Sequence, residues 1–217
     1  MANPKPLIAA PGRPLSLHRN AATRSRQFNG LVQNILTAHH DMSSKVPALV
    51  SEGYNWYDRA QEIADKLGKG NLQMGAGVIA AMSPQKNWDV NLRLAHDMFN
   101  KGKAGHYGVQ VTKARRILEG ENPEDVLGQL KEGNFYKNIV NPDDPSAVTI
   151  DRHANDVAIN QKMGQANRGL SSEGRYNIFH SAYTTAAGHL GIETPSRLQA
   201  SVWTPVEQGL WTPGKDV

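Results

Sequence analysis

The sequence predicts an all-α protein, and three observations support that prediction. Apolar residues recur at the three- and four-residue spacing of amphipathic helices along most of the chain. Cap and stop residues stand at the ends of these segments, such as Asn122-Pro123 before one and Gly191 after another. No two segments alternate apolar and polar residues as the strands of a sheet do. The pattern therefore predicts about eight to ten short helices, without an internal repeat.

Four amphipathic segments fill the first half of the chain. The predicted helices run from Ser25 to near His40, from Trp56 to Leu67, from Met74 to Met82 and from Trp88 to Phe99. A polar stretch should interrupt the helix after His40, and Gly68 should end the second helix, since glycine is a preferred residue just past a helix end.

The second half begins with a glycine-rich loop, after which Thr112 is predicted to cap a short helix. Asn122 begins the next helix, and Gly133 is expected to break the helical pattern before Phe135. Ser172 should cap a long helix that Gly191 closes. The last helix opens at Thr194-Pro195, and Pro205 should kink or end it.

The length of 217 residues fits one helical domain, predicted here as residues 25–217, with an appendage. Residues 1–24 contain four prolines and scattered basic side chains, which is typical of an extended arm. Two interpretations of this arm remain open. It is either simply disordered or a segment that contacts nucleic acid.

Composition excludes several classes of site. The chain has no cysteine, so disulfides, cysteine-ligated zinc and an iron–sulfur cluster are excluded, and no cofactor or metal is expected. No apolar run approaches the roughly 20 residues of a membrane span, which favours a cytoplasmic protein without a membrane partner. The formal charge of +4 permits nucleic-acid binding. A monomer is expected.

The most informative motif is the stretch from Val148 to Val157, in which a β-branched run ends in Asp151 and a helical pattern follows. An aspartate at the start of a helix accepts hydrogen bonds from free backbone N–H groups and faces the positive end of the helix dipole. Such a position is suited to hold a catalytic acid or base at a fixed angle. The alternative is that Asp151 is only a helix cap.

Three pieces of sequence stand in an order that resembles the helix–hairpin–helix DNA glycosylase superfamily, the group of endonuclease III. The first piece, Met82–Asp89, matches the family's Leu-Ser-Ala/Thr-Gln-x-x-Asp turn with one extra residue. The second, Leu127–Lys131, occupies the place of the family's hairpin. The third, Ile150–Ala154, matches the family's Val-Asp-Thr-His-Val. The resemblance spans residues 72–209. Two departures are Leu130, which replaces the second hairpin glycine, and the absence of the family's cluster cysteines.

The resemblance implies a two-lobed helical fold that flips a base out of double-stranded DNA and cleaves its N-glycosidic bond. Asp151 falls on the family's catalytic aspartate. Lys131 falls on the nucleophilic lysine of the bifunctional enzymes, although an exposed lysine at a helix end is the alternative. Gln85 would enter the duplex near the target base.

Other residues receive supporting roles. The predicted DNA contacts, besides Gln85, are Lys86, Lys113, Arg115, Arg116, Gly128, Lys137 and Arg152, and a solvated charged surface is the alternative for the basic ones. His153 and Asn134 are predicted to orient their neighbours. The large aromatic residues Phe135, Tyr183 and Trp203 are assigned to the core.

Two further functions remain open at this stage. A phage branch of the superfamily resembles glycosylases but transfers an amine to activated 5-hydroxymethyluracil in DNA with displacement of pyrophosphate. In that case Asp151 would deprotonate the amine, Lys131 or Arg152 would hold pyrophosphate, and the protein would act in the host cytoplasm. The third function is a non-catalytic module that binds DNA or protein.

Overall fold

A computed structural model describes residues 13–214, except for the side chains at positions 165 and 166. In this part of the chain the regular secondary structure is entirely helical, which confirms the predicted all-α class. The described helices are α1 (Ala21–Lys45), α2 (Pro47–Tyr54), α3 (Trp56–Leu67), α4 (Leu72–Met82), α5 (Trp88–Lys101), α6 (Gly108–Leu118), α7 (Pro123–Leu127), α8 (Lys131–Val140), α9 (Arg152–Ile159), α10 (Gln165–Arg168), α11 (Glu173–Leu190) and α12 (Pro195–Glu207). None of them is long and apolar enough to cross a membrane.

The helices form two compact units. Unit 1 combines the residues up to 56 with those from 150 onward, and so contains α1, α2 and α9 to α12. Unit 2 is the continuous segment 57–149, which contains most of α3 and all of α4 to α8. Along the chain, unit 2 is therefore an insertion between the two parts of unit 1.

In unit 1, α1 packs against α11, and α12 packs against α2. The interior is built from large side chains of α11, of which Tyr176, Phe179 and Tyr183 are almost completely buried. Gly53 allows α2 to approach α12 closely, because an added Cβ at this position would lie only 2.6 Å from Ser201 Cα. This close contact fixes the position of α12 in unit 1.

Unit 2 is organised around α4, in which every residue from Gly75 to Met82 is buried. A helix that is apolar on all sides must be surrounded by other helices, and α4 contacts α5, α6, α7 and α8. Gly77 lets α7 approach α4, since an added Cβ would lie 2.9 Å from the Pro123 side chain.

Residues 13–20 form no helix, as predicted for an extended arm, but the interpretation that this part of the arm is disordered is wrong. Leu15 is 1% exposed, and its carbonyl oxygen accepts a hydrogen bond of 2.7 Å from Arg175 Nε. The first helix begins at Ala21, because Asn20 caps it by accepting from the Thr23 N–H. Residues 13–20 are thus anchored on unit 1, and residues 1–12 lie outside the described part of the chain.

Several predicted helix boundaries also differ from the structure. The polar stretch after His40 does not interrupt α1, which continues to Lys45. Thr112 lies inside α6, which already begins at Gly108. Pro205 does not end α12, which runs two residues further.

Gly133 does not break the helical pattern but lies inside α8. An added Cβ at Gly133 would overlap the carbonyl oxygen of Gly128. Glycine is therefore required there by the close approach of the preceding turn, and its low helix propensity is outweighed by this packing.

The contact of α2 with α12 makes unit 1 sensitive to a single methyl group at Gly53. We expect Gly53→Ala to lower the free energy of unfolding by about 1–3 kcal/mol, because the methyl group collides with backbone atoms of α12 that cannot rotate away. Urea denaturation followed by tryptophan fluorescence measures the loss. Gly174→Ala, in the first turn of α11 where an added Cβ meets no atom within 4 Å, is the matched control and should be neutral or slightly stabilising. Equal stability of the two variants would contradict the close contact.

Candidate functional site

Asp151 is the N-cap of α9, as the local sequence predicts. Its Oδ1 accepts hydrogen bonds of 2.9 Å from the backbone N–H groups of His153 and Ala154. The residue has an extended backbone and a partly exposed side chain. The start of α9 thus holds the carboxylate through one oxygen and leaves the residue accessible to solvent.

Two tyrosines of α11 fix the backbone on both sides of Asp151. Tyr176 Oη accepts a hydrogen bond of 3.0 Å from the Ile150 N–H, and Tyr183 Oη donates one of 3.0 Å to the Ala154 carbonyl. Burial raises the pKa of Tyr183, and the nearby Asp151 adds to the effect, so its hydroxyl stays a donor. These residues, which the sequence assigned to the core or left without a role, hold the turn that presents Asp151.

The second oxygen of Asp151 is held from α12. Trp203 Nε1 donates a hydrogen bond of 3.1 Å to Asp151 Oδ2. Trp203 is only partly buried, so its assignment to the core is wrong. It lies 52 positions along the chain from Asp151, and no local pattern could have predicted their pairing.

Two further aromatic rings lie against Trp203. Trp203 meets Trp56 edge to face at 5.7 Å between ring centroids, and it meets His153 in a similar geometry at 6.5 Å. Trp56, Trp203 and His153 are all partly exposed. Unit 1 therefore presents a carboxylate beside aromatic side chains that solvent reaches.

A second carboxylate of α12 engages the residues that follow Asp151. His153 Nε2 lies 2.8 Å from Glu207 Oε2, and Arg152 Nη2 lies 3.5 Å from the same oxygen. Arg152 Nε is also 2.9 Å from His153 Nε2. A protonated Nε2 donates to Glu207, whereas an unprotonated Nε2 accepts from Arg152. The hydrogen bond with His153, followed by the charges of His153 and Arg152, lowers the pKa of Glu207.

In unit 2, Gln85 lies at a turn with φ +59°, an uncommon value for a residue with a side chain. Its Oε1 accepts a hydrogen bond of 2.8 Å from Tyr107 Oη. Tyr107 is 54% exposed, and the Lys86 ammonium lies 6.0 Å from its ring centroid. Burial and then Lys86 lower the pKa of the adjacent His106, so Lys86 supplies the positive charge here at neutral pH. Gln85, Lys86 and Tyr107 form a surface that we call the Tyr107 surface.

The turn between α7 and α8 occupies the place of the predicted hairpin. Gly128 has φ +78°, which favours glycine. Asn134 Nδ2 donates to the carbonyl oxygens of Gln129 and Leu130 at 3.0 and 2.9 Å, so this side chain closes the turn. Lys131 is the first residue of α8, is partly exposed, and makes no ion pair with the residues that the structure describes.

The basic residues of α6 are largely engaged within unit 2. Lys113 Nζ lies 2.7 Å from Glu132 Oε2, and Arg116 forms a bidentate pair with Glu121. A phosphate contact by either cation would therefore compete with a carboxylate. Arg115 and Lys137 have no carboxylate partner within residues 13–214. Of the basic residues proposed to contact DNA, these two and Lys86 have charges that no carboxylate in this part of the chain neutralises.

The structure groups the predicted site residues by unit. Asp151, Arg152 and His153 form one cluster in unit 1, where Trp203 and Glu207 join them. The remaining candidates belong to unit 2, at the Tyr107 surface, on α6 and at the turn between α7 and α8. Among the described residues, no group of three or more histidine, aspartate or glutamate side chains has a geometry suited to a metal ion.

The described residues thus define an all-helical protein. In it, the carboxylate that caps α9 lies beside partly exposed aromatic rings. A family model described as a family of unknown function (DUF7178) matches residues 18–209. The chain belongs to this family. No match was found among curated proteins or among solved structures.

The cluster of Arg152, His153 and Glu207 predicts a specific pH dependence of stability. The folded-state pKa of Glu207 lies below its unfolded value, so its ionised form stabilises the fold fully above the ordinary glutamate pKa of about 4.3. That contribution disappears as the pH falls through the lower folded-state value. We expect the unfolding free energy of Glu207→Gln to vary less steeply with pH below about pH 5 than that of the wild type.

Urea denaturation at a series of pH values measures this difference. Glu193→Gln, which removes an exposed carboxylate from the same unit, is the control for the loss of one charge. If the unfolding free energies of Glu207→Gln and of the wild type depend equally on pH below about pH 5, Glu207 is not coupled to His153 in solution.

Proposed function

We propose that the protein processes bases in double-stranded DNA, with Asp151 as the catalytic carboxylate. The observation that supports this most directly is the double fixation of Asp151. Backbone N–H groups of α9 hold one oxygen, and the Trp203 indole holds the other. A side chain that only caps a helix needs the first of these interactions but not the second.

Cleavage of an N-glycosidic bond leaves both bonding electrons on the base nitrogen and positive charge on the sugar. A carboxylate fixed beside C1′ stabilises that charge without having to reorganise. Asp151 Oδ2 accepts one hydrogen bond and has a second lone pair available, which can take a proton from the water that attacks C1′. Fixing the carboxylate from two helices matches this requirement.

The surroundings of Asp151 are suited to a base outside the stack. An extruded base is held by stacking between aromatic or apolar side chains. Trp203 and His153 provide partly exposed rings near the carboxylate, and Trp56 adds a third ring that lies against Trp203. We assign recognition of the flipped base to this group of rings.

Contact with the duplex is assigned to the Tyr107 surface of unit 2. An exposed aromatic ring stacks on unpaired bases without regard to sequence. The Gln85 amide has donors and acceptors for base edges, and Lys86 supplies positive charge for the phosphates. The hydrogen bond between Tyr107 and Gln85 keeps both side chains oriented before DNA binds.

The proposed chemistry predicts that Asp151→Asn abolishes activity while preserving the fold. Asparagine is as good a helix cap as aspartate but does not carry the negative charge. Duplexes that contain different modified bases are incubated with the protein, and abasic sites are counted. We expect the rate of abasic-site formation to fall at least about 100-fold. Trp203→Phe, which keeps a ring but lacks the indole N–H, should lose activity to a smaller extent.

The same reactions distinguish the alternatives. An increase in the mass of the base, with release of pyrophosphate, would indicate amine transfer in place of excision. An unchanged biological effect and unchanged DNA binding in Asp151→Asn would exclude both catalytic functions. Borohydride trapping tests Lys131, because an adduct that persists in Lys131→Ala removes this lysine as the nucleophile.

The assigned DNA surface predicts that Tyr107→Ala weakens binding to a duplex with a single unpaired base. Stacking of one base on one aromatic ring contributes about 1–3 kcal/mol, which corresponds to a roughly 5- to 150-fold loss of affinity. Fluorescence anisotropy at one fixed salt concentration measures the change.

Tyr54→Ala is the matched control, since Tyr54 is also exposed, at 41%, but contacts Arg197 in unit 1. Equal losses of affinity in the two variants would show that the Tyr107 surface is not the DNA contact.

A further inference from the structure

Unit 2 contains a cavity of about 460 Å³ that the proposed reaction does not use. It lies between the first turn of α4, the end of α6, the connection to α7, and α8. Its volume falls in the range of small-molecule sites, which is about 300–1,000 Å³. The apolar part of its wall is formed by Met74, Ile117 and Pro123.

Tyr136 contributes to the cavity a hydroxyl group that has no hydrogen-bond partner among the described residues. The residue is only 4% exposed and lines the cavity, yet its hydroxyl makes no hydrogen bond with any residue that the structure describes. The hydroxyl oxygen itself is not sealed from solvent, because it faces the open volume of the cavity. Burial and then the charge of Glu124 raise the pKa of Tyr136, so the group stays a neutral hydroxyl. Its oxygen is an unused acceptor beside a carboxylate.

The charges around the cavity are negative. Glu124 and Glu121 both line it, and Arg116 neutralises only Glu121. The lining residues include no lysine, arginine or histidine. A phosphate or carboxylate ligand would face Glu124 without a compensating cation, whereas a cation would be attracted.

We infer that this cavity binds a small aliphatic ammonium compound. Its N–H groups donate to the Tyr136 hydroxyl oxygen and to the Glu124 carboxylate, which both line the cavity. The two acceptors are close enough for the charge of Glu124 to raise the pKa of Tyr136. The methylene groups of the compound contact the apolar wall. An ammonium group satisfies both acceptors because it has three donors. The inference does not depend on the reaction at Asp151.

The test uses the full chain labelled with ¹⁵N and two short aliphatic polyamines as probes, the diamine 1,5-diaminopentane and the triamine spermidine. The amide signals of Gly120 and Tyr136 are followed by NMR during titration to about 10 mM, a concentration that detects millimolar dissociation constants. We expect saturable shifts with both amines. The neutral compound 1,5-pentanediol, which has the same chain length as the shorter probe, should cause none.

Two variants locate the binding. Tyr136→Phe keeps the ring and removes the hydroxyl, and Glu124→Gln changes an exposed side chain, so both should fold. Each is expected to weaken binding about tenfold or more, because each removes an acceptor for a charged donor. Asp125→Asn, on the same helix but outside the cavity lining, is the control and should bind like the wild type.

Three results would overturn the inference. They are the absence of saturable shifts with either amine, equal shifts with the diol, and unchanged affinity in both Tyr136→Phe and Glu124→Gln.

Discussion

The architecture around the candidate site depends on the start of α9. A helix begins with backbone N–H groups that have no partner inside the helix, and here Asp151 accepts from two of them. This cap fixes the direction of α9 and the orientation of its own carboxylate at once. Because Tyr176 and Tyr183 bind the backbone on either side, the turn cannot rotate without breaking buried hydrogen bonds. Helix capping and the catalytic role that we propose therefore require the same geometry of Asp151.

The second constraint comes from α12. The absence of a side chain at Gly53 lets α12 lie directly on α2. Trp203 and Glu207, four residues apart, share one side of α12, and that side faces the start of α9. The close contact of Gly53 with the middle of α12 thus helps to determine which side chains reach Asp151, His153 and Arg152.

Some of this organisation follows from local sequence, and some does not. The helical class and the cap at Asp151 depend on spacings of a few residues, which the sequence displays directly. The pairing of Trp203 with Asp151 joins positions that only the tertiary fold brings together. At Gly133 the local rule gives the wrong result. The low helix propensity of glycine predicts a break in the helix there. Glycine is nevertheless required inside α8, because an added Cβ would overlap Gly128. The sequence assigns no role to Tyr107, because a single aromatic residue in a loop is common on protein surfaces and does not by itself indicate a binding surface.

The division of unit 1 into two segments has a consequence for biosynthesis. Protein chains emerge from the ribosome beginning with their N-terminal residues. Unit 2 is one continuous segment and has all its helices as soon as residue 149 has emerged. In contrast, α1 and α2 must wait for α9, α11 and α12, which are their packing partners in unit 1. Because Trp203 belongs to α12, Asp151 acquires its full set of hydrogen bonds only after residue 203 has emerged, when the inserted unit has had time to fold.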